Sequence, residues 1–268
     1  MTFRVVTWNC RRAAAQHALW EYLAELAPDI AVLQEVRSLP AKLQEDYAAR
    51  LVRPITRNGK PQQFETALLV RGEIGQPVPL VAELEWVNWE LERFAGNLQA
   101  YRVEVGSGMA LTVVGVYSPA WPVDRARLEG LDVSSVKLDQ NPDVWVTDLL
   151  LAALRSPGID RYAPLIVAGD MNLSETFDRW QDGPRGNREW LDRMAALGFT
   201  ECLRHSQGSL TPTYRRPGRS EPEPQIDHMF VTATLAGRLI RCGTGDPGRV
   251  YGQNLSDHLP VVAEFESA

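Results

Sequence analysis

The chain has 268 residues, 44% of them hydrophobic and 23% charged, with a net charge of −6. That length can bury a sizeable core, and the composition excludes a disordered or fibrous protein. The acidic balance does not point to passive nucleic-acid binding through a basic surface, and it does not exclude an enzyme that holds a phosphate locally with a metal and a few arginines. The opening MTFRVVTWNC has no signal-peptide pattern, and no apolar run is long enough to span a membrane. Cys10, Cys202 and Cys242 are far apart and form no CxxC pair, so neither a disulfide framework nor a zinc site is indicated. A reducing cytoplasm is the expected home.

FRVVTWN (Phe3–Asn9) alternates β-branched and aromatic residues and predicts a strand. AAAQHALWEYLAELAP predicts a helix, with Leu19, Leu23 and Leu26 near helical spacing and Pro28 ending it. DIAVLQE (Asp29–Glu35) predicts a buried strand ending in two polar residues. This β-α-β opening puts Asn9 and Glu35 at strand ends, where open sheets place ligands. Further strands are expected at Phe64–Val70, Leu98–Val105 and Ala110–Ser118, the last two joined as a hairpin at Gly106–Gly108. The Trp-bearing stretch 83–97, ELEWVNWELERFAGN, reads as either a helix or an insertion. PDVWVTDLLLAALRS predicts a helix with Pro142 at an early position, Ala163–Gly169 a buried strand, and NREWLDRMAALG a helix stopped by Gly198. QIDHMFVT and LPVVAEF read as the last two strands. RRPGRSEPEP (Arg215–Pro224) reads as a surface loop. Strands in pairs broken by helices, with no repeat and no linker, favour one mixed α/β domain over 1–268.

Polar groups recur where apolar strands end: Asn9, Glu35, Tyr117, Asp170 with Asn172, and Asp227, followed by Asp257 and His258 before the final strand. A hard divalent cation needs oxygen ligands. Phosphoryl transfer needs that cation, a base for water and donors for the developing negative charge. These residue types supply all three. Taken singly, each has a local reading: Asp170 and Asn172 favour a turn after Gly169, and Asn9 can bond nearby backbone. His228 follows Asp227 on a strand and so faces the other way, which makes it structural, like His17 and His205.

The segments TWN, LQEV, VYSPA, GDMN, QIDH and SDHLP, in this order from Thr7 to Pro260, resemble the motifs of the endonuclease/exonuclease/phosphatase superfamily, the group of deoxyribonuclease I and the exonuclease III-like enzymes. The resemblance implies a four-layer α/β/β/α sandwich of two packed mixed β-sheets. It also implies metal-dependent hydrolysis of a phosphate ester, with Mg²⁺ as cofactor and Mn²⁺ as a substitute. Carried onto this sequence, it implies Glu35 as the principal metal ligand, with Asn9 and Asp257 supporting the metal side. Asp170 orients or deprotonates the attacking water, and Asn172 fixes that water or a phosphate oxygen. Asp227 pairs with His258, which faces the scissile phosphate, and Tyr117 contacts the phosphate.

The sequence departs from the family at Arg11, where relatives often carry an Asp or Asn that touches metal. Arg cannot ligate Mg²⁺, so support for a second metal is reduced; Arg11 either contacts a substrate phosphate or is solvated. On the substrate side, Arg215 and Arg216, with Arg219 beyond them, and Trp121 after Tyr117 suit a nucleic-acid strand through phosphate pairing and base stacking. The alternative is a solvated loop beside the acidic SEPEP. The Trp-rich run of exonuclease III-like enzymes is replaced by LTPTYRRP, which weakens an abasic-site assignment. The leading expectation is a Mg²⁺-dependent phosphodiesterase acting on DNA or RNA, as an endo- or exonuclease, with no membrane partner; the sequence leaves the oligomeric state open and is compatible with a monomer. The alternatives are a phosphatase or phosphodiesterase of small phosphoesters or lipid headgroups, and a degenerate binding module. Degenerate members lose an acidic ligand or the His, whereas Glu35, Asp170, Asp227 and His258 are all present. Neither GxGxxG nor GKS/T after a strand occurs, which disfavours Rossmann and P-loop enzymes.

Overall fold

The structure, a computed structural model, describes residues 1–106, 108–180 and 183–267. Twelve strands are described: β1 (Thr2–Ala13), β2 (Ile30–Val36), β3 (Ala48–Val52), β4 (Glu65–Val70), β5 (Gly72–Pro77), β6 (Leu98–Val105), β7 (Ala110–Tyr117), β8 (Leu165–Asp170), β9 (Phe199–Glu201), β10 (Asp227–Thr232), β11 (Leu239–Thr244) and β12 (Val261–Glu266). The helices are α1 (Leu19–Leu26), α2 (Ala41–Asp46), α3 (Glu85–Arg93), α4 (Val146–Arg155), α5 (Asn187–Ala196), α6 (Cys202–Gln207), α7 (Ala233–Ala236) and α8 (Pro247–Gly252).

The strands form two six-stranded sheets, ordered β11-β12-β1-β2-β4-β3 and β5-β6-β7-β8-β10-β9. Each has a parallel pair at its centre, β1–β2 and β7–β8, and antiparallel pairs outside it. A parallel pair needs a crossover connection, and α1 and α4 lie in these two. Side chains alternate across a strand. On β1, Phe3 and Val5 therefore enter the core between the sheets, while Val6 and Trp8 enter a second core under α1, α2 and α8. On β7, Leu111 and Val113 point inward, while Val114 and Val116 meet α3, α4 and α5. The result is the four-layer arrangement implied by the resemblance. Toward one end the buried interior turns polar, with Thr7, Asn9, Gln34, Thr66, Gln99 and Asp170 all buried. That end carries the site.

Several boundaries differ from expectation. Helix α1 starts only at Leu19, because β1 runs on to Ala13 and a turn donates from His17 N to Ala14 O. Ala27, in the left-handed region at φ 47°, ends it before Pro28. Helix α4 begins at Val146 rather than near Pro142; the Asp148 carboxylate accepts from Trp145 N at 2.8 Å and fixes its first turn. The Trp-bearing stretch forms α3, with Trp86, Val87 and Leu91 buried as packing and Trp89 exposed. The two final predicted strands are separated by β11, whose LIRCGT shows no clear alternation, and β3 and β5 are sheet-edge strands that also lacked an apolar signature. β6 and β7 pair antiparallel as expected; of their predicted hairpin, Ser107 lies outside the described residues. The three cysteines are buried and free. Among the described residues no helix is long and apolar enough to cross a membrane.

Candidate active site

Strand register sets out half of the site. Tyr117 pairs with Asp170 across β7–β8, and Asp170 pairs with Asp227 across β8–β10, so the three stand abreast at one end of the second sheet. The first sheet supplies Asn9 and Glu35 at the ends of its parallel pair. There the β1–β2 ladder shifts register after Asn9 and before Ala13 and Val36. At this break Arg11, Arg12 and Glu35 take positive φ (48°, 59° and 53°), a conformation that costs side chains energy and gathers at functional sites. The chain leaves the ladder and aims Glu35 into the cleft between the sheets.

GDMN is a turn held from all sides. A Cβ on Gly169 would lie 1.8 Å from Val116 O, so only glycine fits there. Asp170 Oδ1 accepts from Asn172 N at 3.0 Å, and Oδ2 accepts from Asn9 Nδ2 at 2.9 Å, a bond that joins the two sheets. Asn172, at φ 46°, directs its Nδ2 to Ser118 O at 2.7 Å and toward Asp170 Oδ2 at 3.4 Å. What it has left to offer is the acceptor Oδ1, which suits a water O–H and not a phosphate oxygen.

His258 is positioned through backbone. Its carbonyl accepts from Trp8 Nε1 at 2.8 Å and its N–H donates to Ser256 Oγ, which in turn donates to Asn9 O. Its Nδ1 lies 2.9 and 3.1 Å from the Asp227 carboxylate oxygens. Burial works against the imidazolium, but Asp227, by charge and hydrogen bond, with Asp170 and Asp257 behind it, outweighs burial and pushes the pKa up to about 10. Asp227 N donates to Thr213 Oγ1 at 3.2 Å, which seats the partner too. Burial first, and the Asp227 charge next on that side, raise the Asp170 pKa against the opposing pull of His258 and the Asn9 hydrogen bond. Tyr117 OH donates to Glu35 Oε1 at 3.2 Å; burial, then the charges of Glu35 and Asp170, keep that phenol neutral.

These groups share a 470 Å³ cavity lined by Asn9, Glu35, Tyr117, Asp170, Asn172 and His258, with Asp257, Arg11 and Arg216 at its sides. Of the predicted substrate residues, Arg11 donates to Asn254 Oδ1 at 2.8 Å and sits 3.9 Å from Asp257. Two are not brought in. Trp121 packs on Phe94 against the core of the second sheet, and Arg215 stacks 4.2 Å over the Tyr251 ring, so neither lines the cavity. Sequence reasoning missed Trp145, Phe177, Trp180 and Tyr214, which do line it. No local pattern marks the first three; Tyr214 sat unweighed in the segment that carries Arg215. His228 faces away as expected: its Nε2 meets Leu173 O at 3.0 Å and its Nδ1 meets Gln225 at 3.2 Å.

The donor set fits a hard divalent cation. Glu35 and Asp257 are partly exposed carboxylates facing one cavity, and their arginine contacts are long, 3.7 Å from Arg12 to Glu35 and 3.9 Å from Arg11 to Asp257. Ligand atoms of Asp170, Asp227 and His258 also lie within 4.8 Å of one another. A His258 held protonated by Asp227 has no lone pair to give a metal, so that cluster suits proton handling.

A sequence profile of the Endonuclease/Exonuclease/phosphatase family matches residues 6–258. The chain belongs to this family. Membership makes it a phosphoric ester hydrolase of the nuclease and phosphatase group. Exodeoxyribonuclease III of Haemophilus influenzae is 28% identical over 132 residues, 40% of this chain and 48% of that protein, so the match spans about half the length of that curated relative. Among solved structures, an AP endonuclease from Archaeoglobus fulgidus superposes with a TM-score of 0.68 at 18% identity, covering 99% of this chain and 100% of that one. The 3′ phosphatase NExo from Neisseria, bound to a product DNA hairpin, gives 0.65 at 18% identity over 99% and 100%. At such identities the likeness is one of fold.

Proposed function

We propose that the protein is a Mg²⁺-dependent phosphodiesterase that cuts nucleic acid, with Mn²⁺ as a substitute ion and residues 1–268 acting as one catalytic domain. The observation that carries this reading is the convergence of both sheets on one cavity, where the Asn9–Asp170 bond ties a metal-side group to a water-side group. Glu35, with Asn9 and Asp257, would hold the cation, which when bound neutralises charge on the phosphoryl oxygens. Asp170, with both oxygens fixed, orients the attacking water and takes its proton as the water oxygen bonds to phosphorus and the ester oxygen departs. Asn172 Oδ1 accepts the second water hydrogen. His258, kept cationic by Asp227, donates through Nε2 to a phosphoryl oxygen, and the neutral Tyr117, whose O–H is given to Glu35 Oε1, steadies that metal-side carboxylate. The free, dispersed cysteines are consistent with a reducing compartment.

The DNA-acting names of the relatives support a nucleic-acid substrate. One observation favours a small phosphoester instead: the chain carries a net charge of −6, without the overall basic excess that favours binding a long strand. Purified protein with Mg²⁺ or EDTA, offered single-stranded, double-stranded and abasic DNA, RNA and a set of small phosphoesters, separates the two. Cleavage of a nucleic acid that EDTA and Asp170→Ala both abolish is the expected result. Turnover of small phosphoesters alone transfers the assignment to the second reading, and no turnover of any substrate overturns both.

A further inference from the structure

One wall of the cavity is aromatic and takes no part in the chemistry derived above. Trp145 comes from the residue that precedes α4, and Phe177 and Trp180 come from the segment between Asn172 and α5; all three are half-buried. Phe177 and Trp180 pack together with ring centroids 4.7 Å apart and planes at 48°. The segment is anchored at several points. Asp178, between the two rings, accepts from the backbone of Asn187 and Arg188 at 3.1 and 2.8 Å and from Asn187 Nδ2 at 2.8 Å, which ties the segment to the start of α5. Trp180 Nε1 donates to Glu223 Oε1 at 3.3 Å. A Cβ on Gly183 would lie 2.2 Å from Phe177 O, so Gly183 packs closely on the Phe177 backbone. The Arg216 guanidinium, a flat cation with no ion pair among the described residues, lies 4.0 Å from the centre of the Trp180 ring.

We infer that Trp145, Phe177 and Trp180 form a stacking subsite for the unpaired nucleobase of the nucleotide whose phosphate lies at Asp170 and His258. This deepens the functional reading and rests on it. Three points carry the inference. Flat aromatic faces share one 470 Å³ cavity with the phosphate-handling groups, so base and phosphate of a single nucleotide fit together in it. The molecule has no overall basic excess to hold a backbone over many phosphates, which gives a local contact more weight in affinity. And the planar Arg216 guanidinium lies 4.0 Å over the Trp180 ring; a base that stacks there takes its place, and the displaced cation can turn to the nucleotide's phosphate. A base locked in a duplex stack cannot present its face to this wall, so the substrate is a single strand or an unpaired end.

Calorimetric titration in Mg²⁺ buffer tests this apart from catalysis. The probes are thymidine 5′-monophosphate and 2-deoxyribose 5-phosphate, which differ by the base. Wild type is expected to bind the nucleotide roughly tenfold more tightly, the lower part of what stacking one base contributes. Trp180→Ala should bring the ratio near one, and Trp180→Phe, which keeps a flat face, should restore most of it, with folding of each variant verified by thermal melting. Equal affinities in wild type, or an unchanged ratio in folded Trp180→Ala, overturn the subsite. Base-dependent binding without hydrolysis of any nucleic acid supports the subsite and overturns the functional reading; hydrolysis without base-dependent binding does the reverse.

Discussion

Asp227 decides the charge of His258. The imidazole is buried, and burial alone would make it neutral; the carboxylate at 2.9 Å reverses that. The folded pKa is raised above the ordinary value, so the charged form contributes stability that is fully present below about pH 6.5 and lost as pH rises through the raised folded value. Replacing Asp227 with Asn keeps the shape and removes the charge. An NMR titration of the His258 ring should show a midpoint above pH 8 in wild type and a clearly lower one in Asp227→Asn. An unchanged midpoint would show that Asp227 is not the cause. Gly169 is the other residue with no substitute. Its Cβ position is filled by Val116 O, so Gly169→Ala must push β7 and β8 apart, and urea denaturation should show a loss of about 2 kcal/mol or more. A loss near zero would mean that the turn gives way without cost.

At the scale of elements, the start of α4 carries a titratable load. Asp148 is buried, accepts from Trp145 N, and has no partner for Oδ1 among the described residues. Burial is the main cause that raises its pKa to about 7. Raised above the unfolded value, it contributes a stability that is present below about pH 4 and lost as pH climbs through about 7. Asp148→Asn retains an acceptor for the first turn without the charge, so its melting temperature relative to wild type should rise from pH 5 to pH 8.5. A gap that stays constant with pH would contradict the assignment. Elements were legible in the sequence where periodicity was strong: β6 spans the predicted Leu98–Val105, and β1, β2, β7 and β8 fall within a few residues of expectation. Edge strands were not legible, because β5 is largely exposed and β3 and β11 only half-buried, so they need no apolar alternation. The chemical residues were legible because they cluster at strand ends in quotable motifs. The aromatic wall was not, because Trp145 caps α4 and Phe177 and Trp180 begin and end a single 3-10 turn, and their meeting depends on how α4 and α5 pack.

At the scale of the molecule, each sheet carries an incomplete set of groups. The first supplies Asn9 and Glu35, with Asp257 and His258 leading into β12; the second supplies Tyr117, Asp170 and Asp227. Face-to-face packing over the core of Phe3, Val5, Leu111, Val113 and their neighbours is what brings these sets within hydrogen-bonding distance. Arg12, which the sequence reading left without a role, stands 3.7 Å from Glu35 and joins this junction. Asp170 is therefore the group that both sheets hold. The measurement that bears on it most directly is the Mg²⁺-dependent turnover of the best nucleic-acid substrate by wild type and by Asp170→Asn, at matched folding. The predicted result is a fall of about 10²- to 10⁴-fold, the range for removing a positioned base. Turnover within about twofold of wild type would contradict the assignment of Asp170 to the attacking water.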